Sequence, residues 1–292
     1  MNKEYQIVVL AKQVPDTRNV GKDAMKEDGT VNRAALPAIF NPEDLQALEM
    51  ALEAKSRLQK ARVTVITMGP SRAADIIRES IFRGADRGFL ISDRKFAGSD
   101  TLATSYAISL AVKKLGQVDL IFAGRQAIDG DTAQVGPQVA EKLGCPQITY
   151  AEEIVNIDDN FIEIKRRLEN GIEVVKSSLP VLVTVHGAAK ECRSRHAKRV
   201  IQYKNACTLT ESKERGINAE VLWNQRPFLQ LEEWAAADLN PDESRLGMSG
   251  SPTKVKSIEN VVLVSKENEQ VPATEEGINN LMQNLIASHI IG

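Results

Sequence analysis

The chain has 292 residues and is poor in the residue types on which several classes of function depend. Aromatic residues make up only 4% of it, too few for a platform on which single-stranded bases stack. Its three cysteines, Cys145, Cys192 and Cys207, form no CxxC pair and it has only three histidines, so we expect no structural zinc. The 37 basic residues nearly balance the 39 acidic ones, which disfavours nucleic acid as a partner.

Two further absences concern location. No apolar run approaches the roughly 20 residues that span a bilayer, so no membrane segment is expected. The first residues enter a strand at once, without the pattern of a signal peptide, and an odd number of scattered cysteines is typical of a reducing compartment. We therefore expect a cytoplasmic protein.

Apolar runs alternate with amphipathic segments along the first half of the chain. We expect strands at 5–11, 62–67, 89–91 and 120–123, and helices at 45–58, 71–82, 99–115 and 138–143. The polar stretch 12–37 predicts a long loop, and Ser71 can cap the second helix. The strands are continuous apolar runs rather than alternating ones, which is typical of a parallel sheet with helices on both faces. Ligands of such α/β sheets bind beyond the carboxyl ends of the strands.

The pattern changes after residue 150. Short strands at 153–157, 161–167 and 171–176 are separated by polar turns, the second of which ends in Asn170-Gly171, a strong hairpin signal. They predict an antiparallel addition to the sheet, and 182–185 predicts one more buried strand. We expect a nucleotide-binding α/β domain over 1–190, a basic partner-docking loop over 191–204 and a C-terminal arm over 205–292 that packs on a partner subunit.

The turn from Gly124 to Pro137 is the strongest candidate site. It joins an apolar strand to a helix start, where unpaired N–H groups and the helix dipole favour an anion. Asp131 and Gln134 have the spacing of a capping box, and Pro137 predicts a helix that starts late or bends. The alternative is an ordinary capped loop, since the chain lacks both GxGxxG and GxxxxGKS.

Three other loops offer weaker signals. Lys12 can neutralise a phosphate or be a solvated lysine, and Asn41 can present its amide to an adenine or cap a helix. The hydroxyl-rich stretch 98–105 can bind a second phosphate or a nicotinamide cofactor, or simply cap its helix. No triad, acid–base pair or nucleophile is evident and the histidines are interpreted as structural, so no catalytic residue is predicted and the chemistry is expected to be a cofactor's.

A densely basic run extends from Lys190 to Lys204. Its density favours docking of an acidic partner surface over a solvated loop.

An ordered set of short motifs resembles the β subunit of electron-transfer flavoproteins. Singly each motif is weak, but together they span most of the chain at the family's spacings. They are Val9–Asp16, Asn41-Pro42, Met68–Pro70, Gly84–Gly88, Gln126–Asp129, Leu179-Pro180 and Ser251–Val255.

The resemblance implies an adenine nucleotide α-hydrolase-like sheet, a heterodimer with an α subunit, and a site for FAD or AMP. Residues 129–137 and 98–105 are similar to the electron-bifurcating members, which implies FAD with NADH as electron donor; AMP held structurally is the alternative. The implied cofactor-binding residues are Leu10, Ala11, Lys12, Asn41, Asp44, Met68, Ser99, Asp100, Thr101, Thr104, Gly124, Arg125, Gln126, Ala127, Asp129, Gly130, Thr132, Ala133, Gln134 and Val135.

The resemblance also implies partners. A hydride from NADH would reduce the β-subunit flavin, with one electron passing to ferredoxin or flavodoxin and the other, through the α subunit, to an acyl-CoA dehydrogenase-like subunit such as an enoyl-CoA reductase. The isolated chain would have no activity. Arg125 is a candidate source of positive charge beside the flavin. A stand-alone nucleotide-binding stress-type protein is the alternative from another class.

The docking loop departs from the family. Members usually carry Pro-Arg-Tyr and a later Leu-Pro there, whereas this chain has Cys192-Arg193-Ser194-Arg195-His196-Ala197-Lys198. The arginine is retained and Ala197 replaces the apolar anchor, which implies a different or permanently attached dehydrogenase. The docking residues implied by the resemblance are Arg193, Arg195, Ala197 and Lys198.

Overall fold

The structure, a computed structural model, describes residues 3–16, 37–253, 270–288 and 290–291. The strands found there are β1 (Tyr5–Leu10), β2 (Gln13–Pro15), β3 (Ala38–Phe40), β4 (Ala61–Met68), β5 (Arg87–Ile91), β6 (Leu120–Gly124), β7 (Gln147–Ile157), β8 (Phe161–Leu168), β9 (Gly171–Ser178), β10 (Val181–Val185) and β11 (Glu232–Trp234). The α-helices are α1 (Pro42–Arg57), α2 (Ala74–Arg83), α3 (Thr101–Lys114), α4 (Val135–Leu143), α5 (Ala197–Tyr203), α6 (Leu209–Glu214), α7 (Ala219–Gln225), α8 (Ala236–Leu239) and α9 (Glu275–Ala287).

One large sheet has the strand order β11-β5-β4-β1-β6-β10-β7-β8-β9. Every neighbouring pair from β11 to β7 is parallel. Strands β8 and β9 extend the β7 edge as an antiparallel hairpin. The predicted fold class, a mostly parallel α/β sheet with an antiparallel addition, is therefore confirmed.

Helices cover both faces of this sheet, because the central strands are apolar on both sides. On one face α1 packs through Leu48 and Leu52 against a cluster that includes Val9 of β1. On the other face α3 and α4 pack through Ile108 and Val139. Each fully buried aliphatic side chain of these layers contributes roughly 1.5–3 kcal/mol relative to exposure.

Two local predictions are wrong. The stretch 12–37, expected to be loop, contains strand β2, which pairs antiparallel with β3 directly after the stretch. Three-residue strands are too short to show a period in the sequence. Residues 17–36 of that stretch lie outside the described residues. Ser71 does not cap a helix: a 3₁₀ turn, Ser71–Ala73, precedes α2, and the Ser71 hydroxyl instead donates to Glu214 at 3.0 Å.

Residues 205–253 contribute to the sheet and to its packing. Strand β11 pairs in parallel with β5, and the Trp234 ring stacks on Phe89 at 4.1 Å between centroids. Leu229, Leu231 and Leu246 of this segment are buried. The segment has few apolar runs of its own, and these single leucines attach it to the rest of the domain.

The chain divides into two compact units, Met1–Val255 and Lys256–Gly292. In the second unit the structure describes α9, whose first turn is capped by the Thr274 side chain. The predicted domain boundaries at 190 and 204 stay predictions, as does the packing of the arm on a partner subunit.

Candidate functional site

A cavity of about 400 Å³ lies at the carboxyl ends of β1, β4 and β6, where α/β sheets bind their ligands. It is lined by eighteen of the twenty residues expected at a cofactor, brought together from four separate loops. These are Leu10, Ala11, Lys12, Asp44, Met68, Ser99, Asp100, Thr101, Thr104, Gly124, Arg125, Gln126, Ala127, Gly130, Thr132, Ala133, Gln134 and Val135. The remaining two, Asn41 and Asp129, do not line the cavity, but each binds a residue that does.

Sequence analysis missed the apolar floor of the cavity, formed by Ile66, Phe96 and Ile108. A signal for two of them was present. Ile66 lies two residues before Met68 on the same face of β4, and Ile108 lies one helical turn after Thr104. The cavity therefore has a dry apolar base and a rim of backbone amides and polar side chains.

The start of α1 shapes the loop that follows β6. Asp44 accepts hydrogen bonds from the backbone N–H groups of Lys12 at 2.8 Å and Gly124 at 3.0 Å. Its carboxylate therefore joins the ends of β1 and β6. Glu43, which sequence analysis did not select, accepts from the Gln126 N–H at 2.9 Å. Acidic residues in the first turn of a helix usually only complement its dipole, so the sequence carried no specific signal for this contact.

Asn41 completes the same template. Its side-chain amide donates to the Gln126 carbonyl at 2.9 Å and accepts from the Ile128 N–H at 3.2 Å. Asn41 is fully buried and makes no side-chain cap, because both ends of its amide are engaged by this turn. Asn41, Glu43 and Asp44 together satisfy alternate N–H groups of the turn, which fixes its path above the sheet.

Both cations at the cavity are paired. The Lys12 ammonium lies 2.7 Å from Asp129, and the Arg125 guanidinium lies 2.9 Å from Glu43. The attraction of the site for an anion must therefore come largely from backbone amides and helix ends.

The loop before α4 supplies such amides. None of the N–H groups of residues 132–136 donates a hydrogen bond within the described part of the chain. Asp131 and Ala133 adopt left-handed backbone, with φ of 47° and 53°. This strained path leaves a series of free N–H groups in a segment that lines the cavity.

The capping box predicted for Asp131 and Gln134 is wrong. Helix α4 begins at Val135 with no side-chain cap, so it starts before Pro137 rather than late. A proline in the first turn is tolerated because its missing N–H has no intrahelical acceptor there. Asp131 instead accepts from the Gln126 side chain at 3.0 Å, and Gln134 accepts from the Thr101 hydroxyl at 2.7 Å.

A second helix start lies at the same cavity. Asp100 caps α3 by accepting from the N–H groups of Leu102 and Ala103 at 2.9 and 3.0 Å. These bonds hold the pKa of Asp100 below its usual range against the opposing effect of partial burial, so the cap is a carboxylate. The Thr101–Gln134 bond then ties the first turn of α3 to the residue before α4.

The residues implied for partner docking lie elsewhere, around α5. Arg193 pairs with Glu49 and Arg195 with Glu79, each at 2.8 Å, so both side chains are tied to the body of the protein. Ala197 begins α5, and Lys198 follows it on the exposed surface. Sequence analysis missed Ile201 on the same helix, whose side chain is 73% exposed.

The described ranges also bear on the expectations for metal sites, membrane helices and histidines. No group of His, Cys, Asp and Glu there could hold a metal ion. No described helix is long and apolar enough to cross a membrane. The imidazole of His186 accepts a local hydrogen bond from Ala188, and His196 precedes α5; His289 lies outside the described residues.

The fold and the site thus define an α/β protein with an amide-lined cavity at the carboxyl edge of a mostly parallel sheet. The electron transfer flavoprotein domain matches residues 28–207. The electron transfer flavoprotein subunit beta of Megasphaera elsdenii is 40% identical over 300 residues, covering 98% of this chain and 100% of that protein. The chain belongs to the electron transfer flavoprotein family.

Two relatives are named as parts of reductase complexes. The caffeyl-CoA reductase-Etf complex subunit CarD of Acetobacterium woodii is 39% identical over 250 residues, 86% of each chain. The acryloyl-CoA reductase electron transfer subunit gamma of Anaerotignum propionicum is 52% identical over 181 residues, 61% of this chain and 66% of that one. The relatives thus include electron-transfer subunits of assembled reductases.

Gly124 provides a test of the template. A β-carbon there would lie 2.4 Å from the Asp44 carboxylate oxygen and 2.7 Å from the Asp44 backbone nitrogen, which cannot move aside. We expect Gly124→Ala to lower the free energy of unfolding by about 1–3 kcal/mol, as measured by urea unfolding. Gly130→Ala, where the new carbon meets open space, is the control and should change stability little. Equal effects of the two substitutions would contradict the template.

Asp44 predicts a dependence of stability on pH. Burial, the largest cause, raises its pKa to about 7, and its hydrogen bonds only partly oppose this. The folded state therefore holds this proton at pH values where the unfolded state, with a pKa of about 3.9, has lost it. The stabilisation is complete below about pH 4 and is lost as the pH rises through about 7, at roughly 1.4 kcal/mol per unit of pKa shift.

Asp44→Asn removes the titrating group. We expect the unfolding free energy of the wild type, relative to that of Asp44→Asn, to fall by a few kcal/mol as the pH rises from about 4.5 to about 8. Urea unfolding across that range measures it. Parallel curves for the two proteins would show that Asp44 does not titrate there.

Proposed function

We propose that the cavity binds FAD and that the chain acts as the β subunit of an electron-bifurcating flavoprotein complex. The observation that carries the proposal is the run of free backbone N–H groups in residues 132–136, which leads into α4 at the cavity. The N–H groups at the start of α3 are already engaged by Asp100. A run of five free N–H groups offers donors for the two phosphates of a dinucleotide, more than the single phosphate of AMP needs.

The residues present fit this group. Backbone N–H groups of residues 132–136 would bind the phosphates, and the apolar floor formed by Ile66, Phe96 and Ile108 would exclude water beneath it. No carboxylate competes freely for these amides: Asp44 and Asp100 are engaged by backbone N–H groups, and Asp131 by Gln126. When bound, FAD supplies a ring that takes a hydride from NADH and releases electrons one at a time.

Arg125 is the residue of this chain best placed to tune that chemistry. Its guanidinium lines the cavity and is held at one edge by Glu43 at 2.9 Å. A positive charge held in one position beside a bound ring stabilises negative charge that develops on the ring when it is reduced, whereas a mobile charge is screened by water.

The relatives support one of the proposed partners, and the resemblance in sequence motifs implies the others. An α subunit would complete the heterodimer and contact the C-terminal arm, in which α9 carries apolar residues at helical spacing, including Ile278, Leu281 and Leu285. Ferredoxin or flavodoxin would be the low-potential acceptor. Two relatives named as subunits of acyl-CoA reductase complexes support an acyl-CoA dehydrogenase-like enzyme as the high-potential partner.

Flavin content tests the cofactor. The native complex should release two FAD per heterodimer on denaturation, measured by absorbance and chromatography. One FAD and one AMP would replace the proposal with the alternative of an electron-transfer subunit that binds AMP structurally. A monomer without flavin that binds ATP would instead favour a stand-alone nucleotide-binding protein.

The α5 surface is proposed to dock the dehydrogenase-like partner. Its exposed Lys198 lies near Ile201, the described large apolar side chain with the greatest exposure, and Arg193 and Arg195 flank the helix start. A small apolar contact inside a basic rim suits an acidic partner surface. Ile201 would thus serve as the anchor that Ala197 is too small to provide.

Ile201→Asp tests this surface. We expect it to raise the dissociation constant for the dehydrogenase-like partner about tenfold or more, because a charge replaces an anchor at the centre of the contact. Surface plasmon resonance with the intact heterodimer measures this. The matched control is Val221→Asp on α7, also apolar and 51% exposed, which should bind as wild type does. If the two variants bind equally well, α5 is not the docking surface.

A further inference from the structure

Tyr150 has a backbone conformation that its residue type disfavours. Its φ is 60°, in the left-handed region, where a bulky non-glycine residue is a true outlier. The residue is 38% exposed, and its ring contacts the Arg125 guanidinium and the His186 ring. Deep burial therefore does not explain why a tyrosine is held there.

The cause of the strain is a bulge between parallel strands. Val183 of β10 pairs with Ile148 of β7, and Val185 pairs with Ala151, so Thr149 and Tyr150 both lie opposite the single residue between them. Bulges are rare between parallel strands, and they commonly redirect a side chain beside a functional site.

The bulge directs the tyrosine ring toward the cavity arginine. The Arg125 guanidinium carbon lies 5.9 Å from the centroid of the Tyr150 ring, within the range of a cation–π interaction. The His186 ring lies 6.0 Å from the Tyr150 ring, and a hydrogen bond from the Ala188 N–H to His186 Nδ1 holds that imidazole. The tyrosine ring thus neighbours both a hydrogen-bonded imidazole and the guanidinium.

Arg125 is held from two further directions. Glu43 binds its guanidinium at 2.9 Å, and its backbone N–H donates to Val185, one end of the bulged segment, at 2.8 Å. The anion draws the guanidinium toward α1, while the aromatic face limits its movement on another side. Without the Tyr150 ring, only the Glu43 side chain would orient the Arg125 guanidinium.

We infer that Tyr150 is a positioning residue, kept in a strained conformation because its ring fixes Arg125 at the cofactor cavity. This inference rests on the proposed function, since it gives Arg125 its role beside the flavin. Strain of this kind persists at sites where the surrounding structure over-determines it. The inference predicts that substitutions at position 150 affect the thermal stability of the protein and the potential of the flavin differently.

The experiment uses the intact flavin-loaded complex with Tyr150→Phe, Tyr150→Ala, Tyr150→Gly and Arg125→Gln. The readouts are the midpoint potential of the β-subunit flavin and the thermal unfolding midpoint. Arg125→Gln should lower the potential, because a reduced, negatively charged ring loses a positive neighbour. Tyr150→Ala and Tyr150→Gly should give most of the same fall, and Tyr150→Phe, which keeps the ring, should resemble wild type.

Stability should separate the two small residues. Glycine adopts positive φ without strain and alanine does not, so Tyr150→Gly should unfold roughly 2–4 °C above Tyr150→Ala while their potentials agree. Val155→Ala is the matched control on the same strand, 46% exposed and expected to leave the potential unchanged.

Two results would overturn the inference. The first is a flavin potential that stays unchanged in Tyr150→Gly although Arg125→Gln lowers it. This result would leave the proposed function intact. The second is an unchanged potential in Arg125→Gln itself. If the wild-type site holds AMP rather than FAD, the proposed function fails, and the inference about Tyr150 is tested separately. Calorimetry then measures AMP binding to complex stripped of its nucleotide. Weaker AMP binding by both Arg125→Gln and Tyr150→Gly supports the inference, and normal AMP binding by Tyr150→Gly overturns it.

Discussion

The site depends on one contact: the start of α1 against the turn that follows β6. Asn41, Glu43 and Asp44 are buried, and between them they bind the backbone N–H groups of Gly124, Gln126 and Ile128. Parallel strands end with unpaired backbone groups at one edge of the sheet, and these must find partners. Side chains of α1 satisfy them here, and this turn can therefore form part of the cavity wall without the hydrogen bonds of a regular element.

The same contact explains why position 124 is a glycine. In dinucleotide fingerprints, glycines let the backbone approach a phosphate, whereas Gly124 lets it approach the carboxylate of Asp44. Because Lys12 and Arg125 are each paired with a carboxylate, the site presents an anion with free amides and helix ends rather than a strong net charge. This agrees with the nearly balanced charge of the whole chain.

Backbone strain is concentrated around this cavity. Three of the four described non-glycine residues with positive φ are Asp131 and Ala133, which line it, and Tyr150, which contacts Arg125. The strain lies in a loop and in one bulge of β7, whereas the central strands β1, β4 and β6 pair in regular register. The middle of the sheet therefore keeps its packing while the site gains unusual geometry.

Much of the fold was predictable because its signals are local. Continuous apolar runs identified the central strands, and the residues after β1, β4 and β6 were expected at the site because parallel strands share one carboxyl edge. Strand β11 was not predicted, since three residues carry no period and its pairing with β5 joins segments more than 140 positions apart. The caps assigned to Ser71, Asp131 and Gln134 failed because each side chain binds a different partner: Glu214, Gln126 and Thr101, respectively.

The sequence by itself determined the order and type of the main elements and the edge of the sheet at which a ligand would bind, because hydrophobic periodicity acts over a few residues. Only the tertiary structure decided what the polar side chains do there. Asn41 and Glu43 meet partners more than 80 residues away, and Tyr150 takes its strained conformation from a register shift between two strands. Such partners depend on how elements pack, which local periodicity does not encode.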